Sequence, residues 1–325
     1  MTMNKLPLGF LPTPLHKLKN FSALYPDYSI FIKRDDHTGL ASGGNKTRKL
    51  EYLIGEALTL GADTVITAGA QQSNHCRQTA AACAIAGLEC HLLLRGEPPD
   101  TFTGNLLLSK LLGAHLHFTN EDKKGPGLAN LAETLGQNGR KPYIIPYGGS
   151  NLTGALGYAE AADELKKQLE KKKLNIDYIF FASSSGGMQA GLMLGMEMHR
   201  LNGRLMPVGI DKEELGTIKL EEKILAILQE GEKTLKLNTS FKLEDIPLLR
   251  DFYDAGYGVV TENEKTAIKA FAQTEGIILD PVYTGRAFYG MMHFLKHKLL
   301  KNGSNVLFWH TGGLPANFEY ADQLL

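Results

Sequence analysis

The sequence predicts an α/β protein of about two domains, each a mainly parallel sheet with helices on both faces. Short β-rich apolar runs alternate with stretches of helical period along most of the chain, a pattern that places parallel strands beneath crossover helices. At 325 residues the chain exceeds the usual size of one hydrophobic core, and domains of roughly 150 residues each give an expectation of about two. No tandem repeat with a period of roughly 20–50 residues occurs, which excludes a solenoid.

The first strand is expected over residues 28–34, followed by a loop over 35–45 and then a helix. Leu50, Leu53, Ile54, Ala57 and Leu58 recur at helical spacing in that helix, and Gly61 sits where a left-handed stop is cheap. Strands follow at 64–68, 90–95, 115–119 and 142–146, each with a helical stretch after it, the last beginning near Thr153. Beyond an exposed lysine-rich stretch, 166–173, come a strand at 177–182, a long helix at 187–199 and a strand at 205–210. From Gly216 to Pro247 a charged helix gives way to a loop of no clear period. Thr261 and Glu264 form a capping box for a helix ending near Gly276, and strands are expected at 277–280 and 305–309. In such folds ligands gather at the carboxyl ends of strands.

Lys plus Arg and Asp plus Glu both number 35, so the chain has no long-range field for a nucleic acid or an anionic membrane. The first ten residues lack the basic start and apolar run of a secretory signal, and no apolar run approaches the roughly 20 residues needed to span a bilayer. Three cysteines cannot complete a disulfide framework, which suits reduced thiols in a cytoplasm. Cys76, Cys83 and Cys90 recur every seven residues, but the paired close spacing of zinc sites is missing, so they read as small core hydrophobes and no metal is expected. No Gly-x-Ser-x-Gly elbow of an ordinary hydrolase occurs.

Three segments carry chemistry. In the first, residues 42–50, a glycine loop becomes a helix, and Lys46, Arg48 and Lys49 crowd the first turns, where the helix dipole disfavours cations. A nearby anion would resolve the conflict; alternatively, positive surroundings lower one lysine's pKa and make its amine a nucleophile for a carbonyl. A phosphorylated aldehyde satisfies both. A nucleotide P-loop is the nearest rival, but Asn45 separates Gly44 from Lys46, and a solvated basic helix start is the plain alternative. The second segment, Ser183, Ser184, Ser185, Gly186, Gly187 and Met188, lies between an apolar strand and a helix, where backbone N–H groups can converge on one anion. Tight strand-to-helix turns favour the same residues. In the third, Gln71 to His75, Ser73 and Asn74 either hold a carboxylate or phenolate oxygen or simply cap the alanine-rich helix that follows, while His75 reads equally as a surface residue.

In this order, the segments resemble the fold-type II pyridoxal-phosphate enzymes (tryptophan synthase β-like), in particular the family of 1-aminocyclopropane-1-carboxylate deaminase and D-cysteine desulfhydrase. The resemblance runs from Pro12-Thr13-Pro14-Leu15 through Gly43–Glu51, Gln72-Ser73-Asn74-His75, Gly148-Gly149-Ser150-Asn151 and Asp280-Pro281-Val282-Tyr283-Thr284-Gly285 to His310-Thr311-Gly312-Gly313. It implies a cytoplasmic homodimer binding pyridoxal 5'-phosphate. A smaller domain, residues 50–161, would be inserted into a larger one, 1–49 with 162–325, with the cofactor between them. Lys46 would carry the cofactor as a Schiff base, Asn74 would contact the ring oxygen, Thr311 the ring nitrogen, and the loop from Ser184 to Met188 the phosphate, helped by Lys49. Ser73 would face the substrate carboxylate, Tyr257 would pack on the ring and Tyr283 would stand over the substrate carbon, though core packing explains either tyrosine equally well.

Three residues depart from the family pattern: Met188 stands where a threonine hydroxyl is usual, Thr284 where cyclopropane-opening deaminases have glutamate, and Arg286 where lysine is common. The expected activity is β-elimination with deamination of a small amino acid, D-cysteine giving pyruvate, sulfide and ammonia. Alternatives on the same scaffold are the cyclopropane deaminase and a cysteate sulfo-lyase, for which His75 or Arg286 would supply charge to the sulfonate. From other classes come a nucleotide-binding protein and a non-catalytic amino-acid sensor.

Overall fold

The computed structural model describes residues 4–120, 127–211, 219–252 and 256–325. Two sheets organise the chain. The first carries β1 (Leu15–Lys17), β2 (Ser29–Arg34), β7 (Tyr178–Ser183), β8 (Arg204–Gly209) and β9 (Asn305–His310), and the second β3 (Thr64–Ala70), β4 (Glu89–Arg95), β5 (His115–Thr119) and β6 (Pro142–Ile144). The orders are β1-β2-β9-β7-β8 and β5-β4-β3-β6, with β1 antiparallel to β2 and every other pairing parallel.

The helices are α1 (Lys19–Ala23), α2 (Lys46–Thr59), α3 (Asn74–Ala86), α4 (Gly104–Leu111), α5 (Gly127–Gln137), α6 (Leu152–Lys172), α7 (Gly187–His199), α8 (Leu220–Leu235), α9 (Glu262–Glu275), α10 (Thr284–Lys296) and α11 (Ala321–Leu324). Alternate residues of one strand enter different cores, as the two-residue period of a strand requires. On β9, Leu307 and Trp309 join a core with α6, α7 and α8, while Val306 and Phe308 join another with α9 and α10. A third core under α2, α3 and α4 holds the second sheet and all three cysteines, which are free and buried.

Close helix contacts fix where α2 begins. Gly157 of α6 lies against α2 so closely that a Cβ would stand 2.2 Å from the carbonyl oxygen of Arg48, so only glycine fits this crossing. The expected strand at 277–280 is absent: the segment is irregular, because the Asp280 carboxylate turns back to accept from the N–H groups of Val282, Tyr283 and Thr284 and so opens α10. The lysine-rich stretch forms the last turns of α6, and the charged helix is α8; its expected start at Gly216 falls outside the described residues. Among the described residues, no helix is long and apolar enough to cross a membrane.

Candidate active site

Strand ends from both sheets face one cleft. The exit of β3 brings Ser73, Asn74 and His75, the exit of β7 brings residues 183–188, and the exit of β9 brings Thr311; Lys46 and Lys49 rise from the first turn of α2, and Tyr283 precedes α10. Among the described residues lining the cleft there is no Asp or Glu.

The three cations at the start of α2 have separate fates. Arg48 turns into the interior and bonds both Asp35, at 2.9 Å through Nε and Nη2, and Glu164, at 3.0 and 2.9 Å. Burial alone would raise the Asp35 carboxyl, but Arg48 and Lys33 bring it down to about 2. Lys49 is buried and donates to neutral oxygens, the Gly148 carbonyl at 2.8 Å and Ser150 Oγ at 3.0 Å. Burial, then Lys46 and Lys223, hold its amine well below the ordinary lysine range. Lys46 opens to the cleft and donates to Asn45 Oδ1 at 3.1 Å. Desolvation outweighs the pull of Asp280 and lowers its amine to about 8. The Asn45 N–H donates to the Thr311 carbonyl at 3.0 Å, which ties the start of α2 to the exit of β9.

Opposite Lys49 lies the turn into α7. Ser150 Oγ donates to Ser185 Oγ at 2.8 Å and accepts from the Gly187 N–H at 3.2 Å, joining the 148–150 turn to residues 185–187. A Cβ on Gly187 would stand 2.7 Å from both Lys49 Nζ and Ser150 Oγ, so glycine leaves the room in which the amine lies over the helix start. Met188 contributes no side-chain donor: it is buried, and its sulfur accepts from Asn45 Nδ2 at 3.7 Å. Hydroxyls, a helix N-terminus and a desolvated amine without a carboxylate partner make a cup for a dianion, and the neighbouring amine of lowered pKa suits condensation with a carbonyl. These residues fit a phosphorylated aldehyde.

On the β3 side, Asn74 Oδ1 accepts from Arg77 Nη1 and Asn105 Nδ2, both at 3.0 Å, which leaves Nδ2 as the amide's free donor. Arg77 went unrecognised in the sequence. It is buried, its Nη2 donates to the Gly43 carbonyl at 2.7 Å, and burial lowers it to about 10. The available signal was an arginine in an alanine-rich helix, since a guanidinium is rarely buried without a partner. Ser73 caps α3 through its oxygen, which accepts from the Cys76 N–H.

His75 is buried and lines the cleft rather than the surface. Thr67 Oγ1 donates to the Ile145 carbonyl and must therefore accept from His75 Nε2–H at 2.9 Å, which places a proton on Nε2. Burial, Lys46 and Lys49 all hold the ring well below the ordinary histidine range.

Tyr283 lines the cleft and Tyr257 does not; they stand edge to face, with ring centroids 5.9 Å apart and hydroxyls 2.6 Å apart. Tyr257 thus packs on Tyr283. Burial raises both phenols. The departures at 284 and 286 turn away from the cleft. The Thr284 hydroxyl bonds Asp280 Oδ1 at 2.6 Å, and Arg286 is buried on Glu264 Oε1 at 2.7 Å and on the carbonyls of Ile210, Gly256 and Val259. Neither Arg286 nor a neutral His75 offers positive charge to a sulfonate.

Two parallel-sheet units meeting at a lysine poised beside an anion cup define a cofactor-dependent α/β enzyme. Residues 6–312 match the family described as pyridoxal-phosphate dependent enzyme, and the chain belongs to it, with pyridoxal 5'-phosphate as cofactor. Within fold-type II the chain is of the 1-aminocyclopropane-1-carboxylate deaminase and D-cysteine desulfhydrase kind. It is 42% identical over 299 residues to a provisionally named 1-aminocyclopropane-1-carboxylate deaminase of Pyrococcus abyssi, covering 91% of this chain and 88% of that one. A crystal structure of an ACC deaminase homologue superposes with a TM-score of 0.90 at 37% identity, covering 99% of this chain and 96% of the other. A hydrogen sulfide-producing enzyme of Fusobacterium nucleatum shares the fold at a TM-score of 0.63 and 19% identity, covering 94% of each chain.

Proposed function

We propose that the enzyme removes sulfide and ammonia from a small β-thiol amino acid, D-cysteine before others, and releases pyruvate. One molecule of water is consumed, and D-cysteine plus water balances as pyruvate, hydrogen sulfide and ammonia. The observation that carries this reading is the cleft wall, which among the described residues offers amines, amides, hydroxyls and one neutral imidazole but no carboxylate. Tyr283, raised by burial, keeps its proton near neutral pH and is a donor. His75 is held well below the ordinary histidine range and Lys49 is committed to the Gly148 carbonyl and Ser150, which leaves Lys46, at about 8, as the cleft amine placed to take a proton from carbon. A single base suits elimination from a substrate with an α-hydrogen and a leaving group stable as an anion; a thiolate, with its thiol near pKa 8.5, is such a group. Opening a cyclopropane whose α-carbon bears no hydrogen asks for a base at a second carbon.

In this reading Lys46 holds the cofactor through its amine, and residues 184–188 with Lys49 hold the phosphate. Asn74 Nδ2 donates to the ring oxygen, and the Thr311 hydroxyl faces the ring nitrogen. Bound there, the cofactor supplies an electron sink for charge at the substrate α-carbon. Ser73 and the first N–H groups of α3 hold the substrate carboxylate. Tyr283 guards the reacting carbon, with Tyr257 fixing its hydroxyl. The small unit, 50–161, carries Ser73, Asn74 and the Ser150 side of the cup, and the larger one, 1–49 with 162–325, carries Lys46, Lys49 and residues 184–188. A cytoplasmic homodimer is part of the same proposal, and light scattering at twice the chain mass would support its assembly.

A second reading, 1-aminocyclopropane-1-carboxylate deaminase, is favoured by the name of the 42% identical relative. Parallel assays of the holoenzyme on D-cysteine, L-cysteine, cysteate and aminocyclopropane carboxylate separate the two. Sulfide and pyruvate from D-cysteine support the proposal, and turnover confined to the cyclopropane overturns it. Yellow colour without any turnover would instead indicate a sensor, and a colourless protein retaining nucleotide would remove the cofactor reading altogether.

A further inference from the structure

We propose that Glu89, His91 and His115 bind one divalent transition-metal ion of the zinc type on the edge of the second sheet. β4 and β5 pair in parallel with His91 opposite His115, and residues two apart on a strand share a face. Glu89 and His91 on β4 therefore meet His115 and His117 on β5 in one patch. His91 Nε2 lies 2.8 Å and His115 Nε2 3.5 Å from Glu89 Oε1, and the three ligand atoms all fall within 4.8 Å of one another. Bonds of about 2.0–2.1 Å in tetrahedral geometry would set ligand atoms about 3.3 Å apart. The His91 and His115 rings are stacked, with centroids 4.6 Å apart and planes 15° apart, so the exposed His115 ring must turn out of the stack for both lone pairs to converge on one ion.

The surroundings are those of a held ligand set. His91 is buried, and its other ring nitrogen, Nδ1, lies 2.9 Å from His117 Nε2, a partner that would fix the ring with Nε2 free to coordinate. The second oxygen of Glu89 takes the Arg140 guanidinium, which orients the carboxylate and leaves Oε1 for the ion. The His115 side chain is 57% exposed and gives an entry path. Two imidazoles and one carboxylate select zinc, copper, nickel or cobalt over calcium and magnesium, which prefer all-oxygen sets.

The patch lies at the amino ends of β4 and β5, whereas the cleft lies at the carboxyl ends of strands, so the ion would not touch the substrate. It would clamp edge strand β5 to β4 and act on stability. His293 in the last turn of α10 and His297 just past its end, with ring centroids 4.4 Å apart, are a competing imidazole pair. The test therefore uses tag-free, chelator-washed holoenzyme carrying His293→Gln and His297→Gln, titrated with Zn2+ by calorimetry and with Co2+ by visible absorption.

The expected result is one ion per chain, a rise in melting temperature with zinc, and unchanged cofactor absorbance. Adding His115→Gln, an exposed substitution, should weaken binding at least about 10–100-fold, the cost seen for losing even an outer partner of a ligand. Glu89→Gln should act similarly and serves as the second variant. Absence of one-to-one binding, or binding undiminished in both variants, overturns the proposal.

Discussion

Replacing Lys46 with methionine in the cofactor-free enzyme should stabilise the protein at neutral pH while abolishing its chemistry. In the folded chain the Lys46 amine is brought down to about 8, against an ordinary value of 10.5, because ionised nitrogen is desolvated there and only Asp280 pulls the other way. Between these two values the unfolded chain binds more protons than the folded one, so stability rises with pH through that window. Below it the whole penalty is present: at about 1.36 kcal/mol per pH unit it amounts to about 3 kcal/mol, less what cleft water screens. Methionine has nearly the same length and carries no charge, so it removes the penalty without opening a cavity. It also relieves Lys49, whose amine is held down in part by Lys46. Urea unfolding of both apoenzymes from pH 7 to pH 10.5 reads the effect. The variant should be more stable by about 2–3 kcal/mol at pH 7, and the difference should close towards pH 10.5. A variant less stable at pH 7, or a gap that does not change with pH, would refute the placement of a desolvated amine in the cleft with no carboxylate bonded to it. Borohydride followed by mass spectrometry should add the cofactor's mass to Lys46 in the wild-type enzyme and to no residue at that position in the variant.

Lys49→Met should lower cofactor affinity about ten- to a hundredfold, since a hydrogen bond to a charged group contributes about 1.5–3 kcal/mol; absorbance titration of the apoenzyme with pyridoxal phosphate measures it. Arg286→Met strands the buried Glu264 carboxylate and should reduce stability by about 3–5 kcal/mol in urea unfolding. Arg286→Lys keeps the charge and loses less, but in both variants the 256–259 segment loosens behind Tyr257 and turnover falls at unchanged cofactor content.

Much of this architecture was legible because parallel strands buried on both faces are short apolar runs, and the turns that follow them carry small residues for a physical reason. Residues 178–183 and 305–310 needed only their composition to be recognised. The 277–280 segment misled because Ile277 and Leu279 are buried like strand residues, yet Asp280 spends its carboxylate on three backbone N–H groups of the α10 turn. Arg77 could not be placed from sequence because its partners, Asn105 and the Gly43 carbonyl, come from segments about 30 residues away on either side. An aromatic side chain in a loop does not disclose its neighbours in the sequence, and the contact of Tyr257 with Tyr283 is visible only in the fold. Arg286 offers itself in the sequence only as a charge for a sulfonate; its structural role depends on Glu264 and three carbonyls that come from distant segments.

The crowding of Lys46, Arg48 and Lys49 at a helix N-terminus is electrostatically wrong for an isolated helix and intelligible only as a division of labour. Successive positions on a helix point about 100° apart, so Lys46 and Lys49, three positions apart, share a face, while Arg48, about 200° round from Lys46, is turned towards the interior. There Arg48 finds Asp35 and Glu164, and its fork locks the start of α2 to the turn that follows β2 and to α6. That lock holds the two lysines rigidly at positions they would not choose in water. Residual positive potential is then concentrated where no carboxylate answers it, and a phosphate entering the cup supplies the missing anion. Its binding should raise the Lys49 pKa, tighten the first turn of α2 and turn the local electrostatic conflict into cofactor affinity.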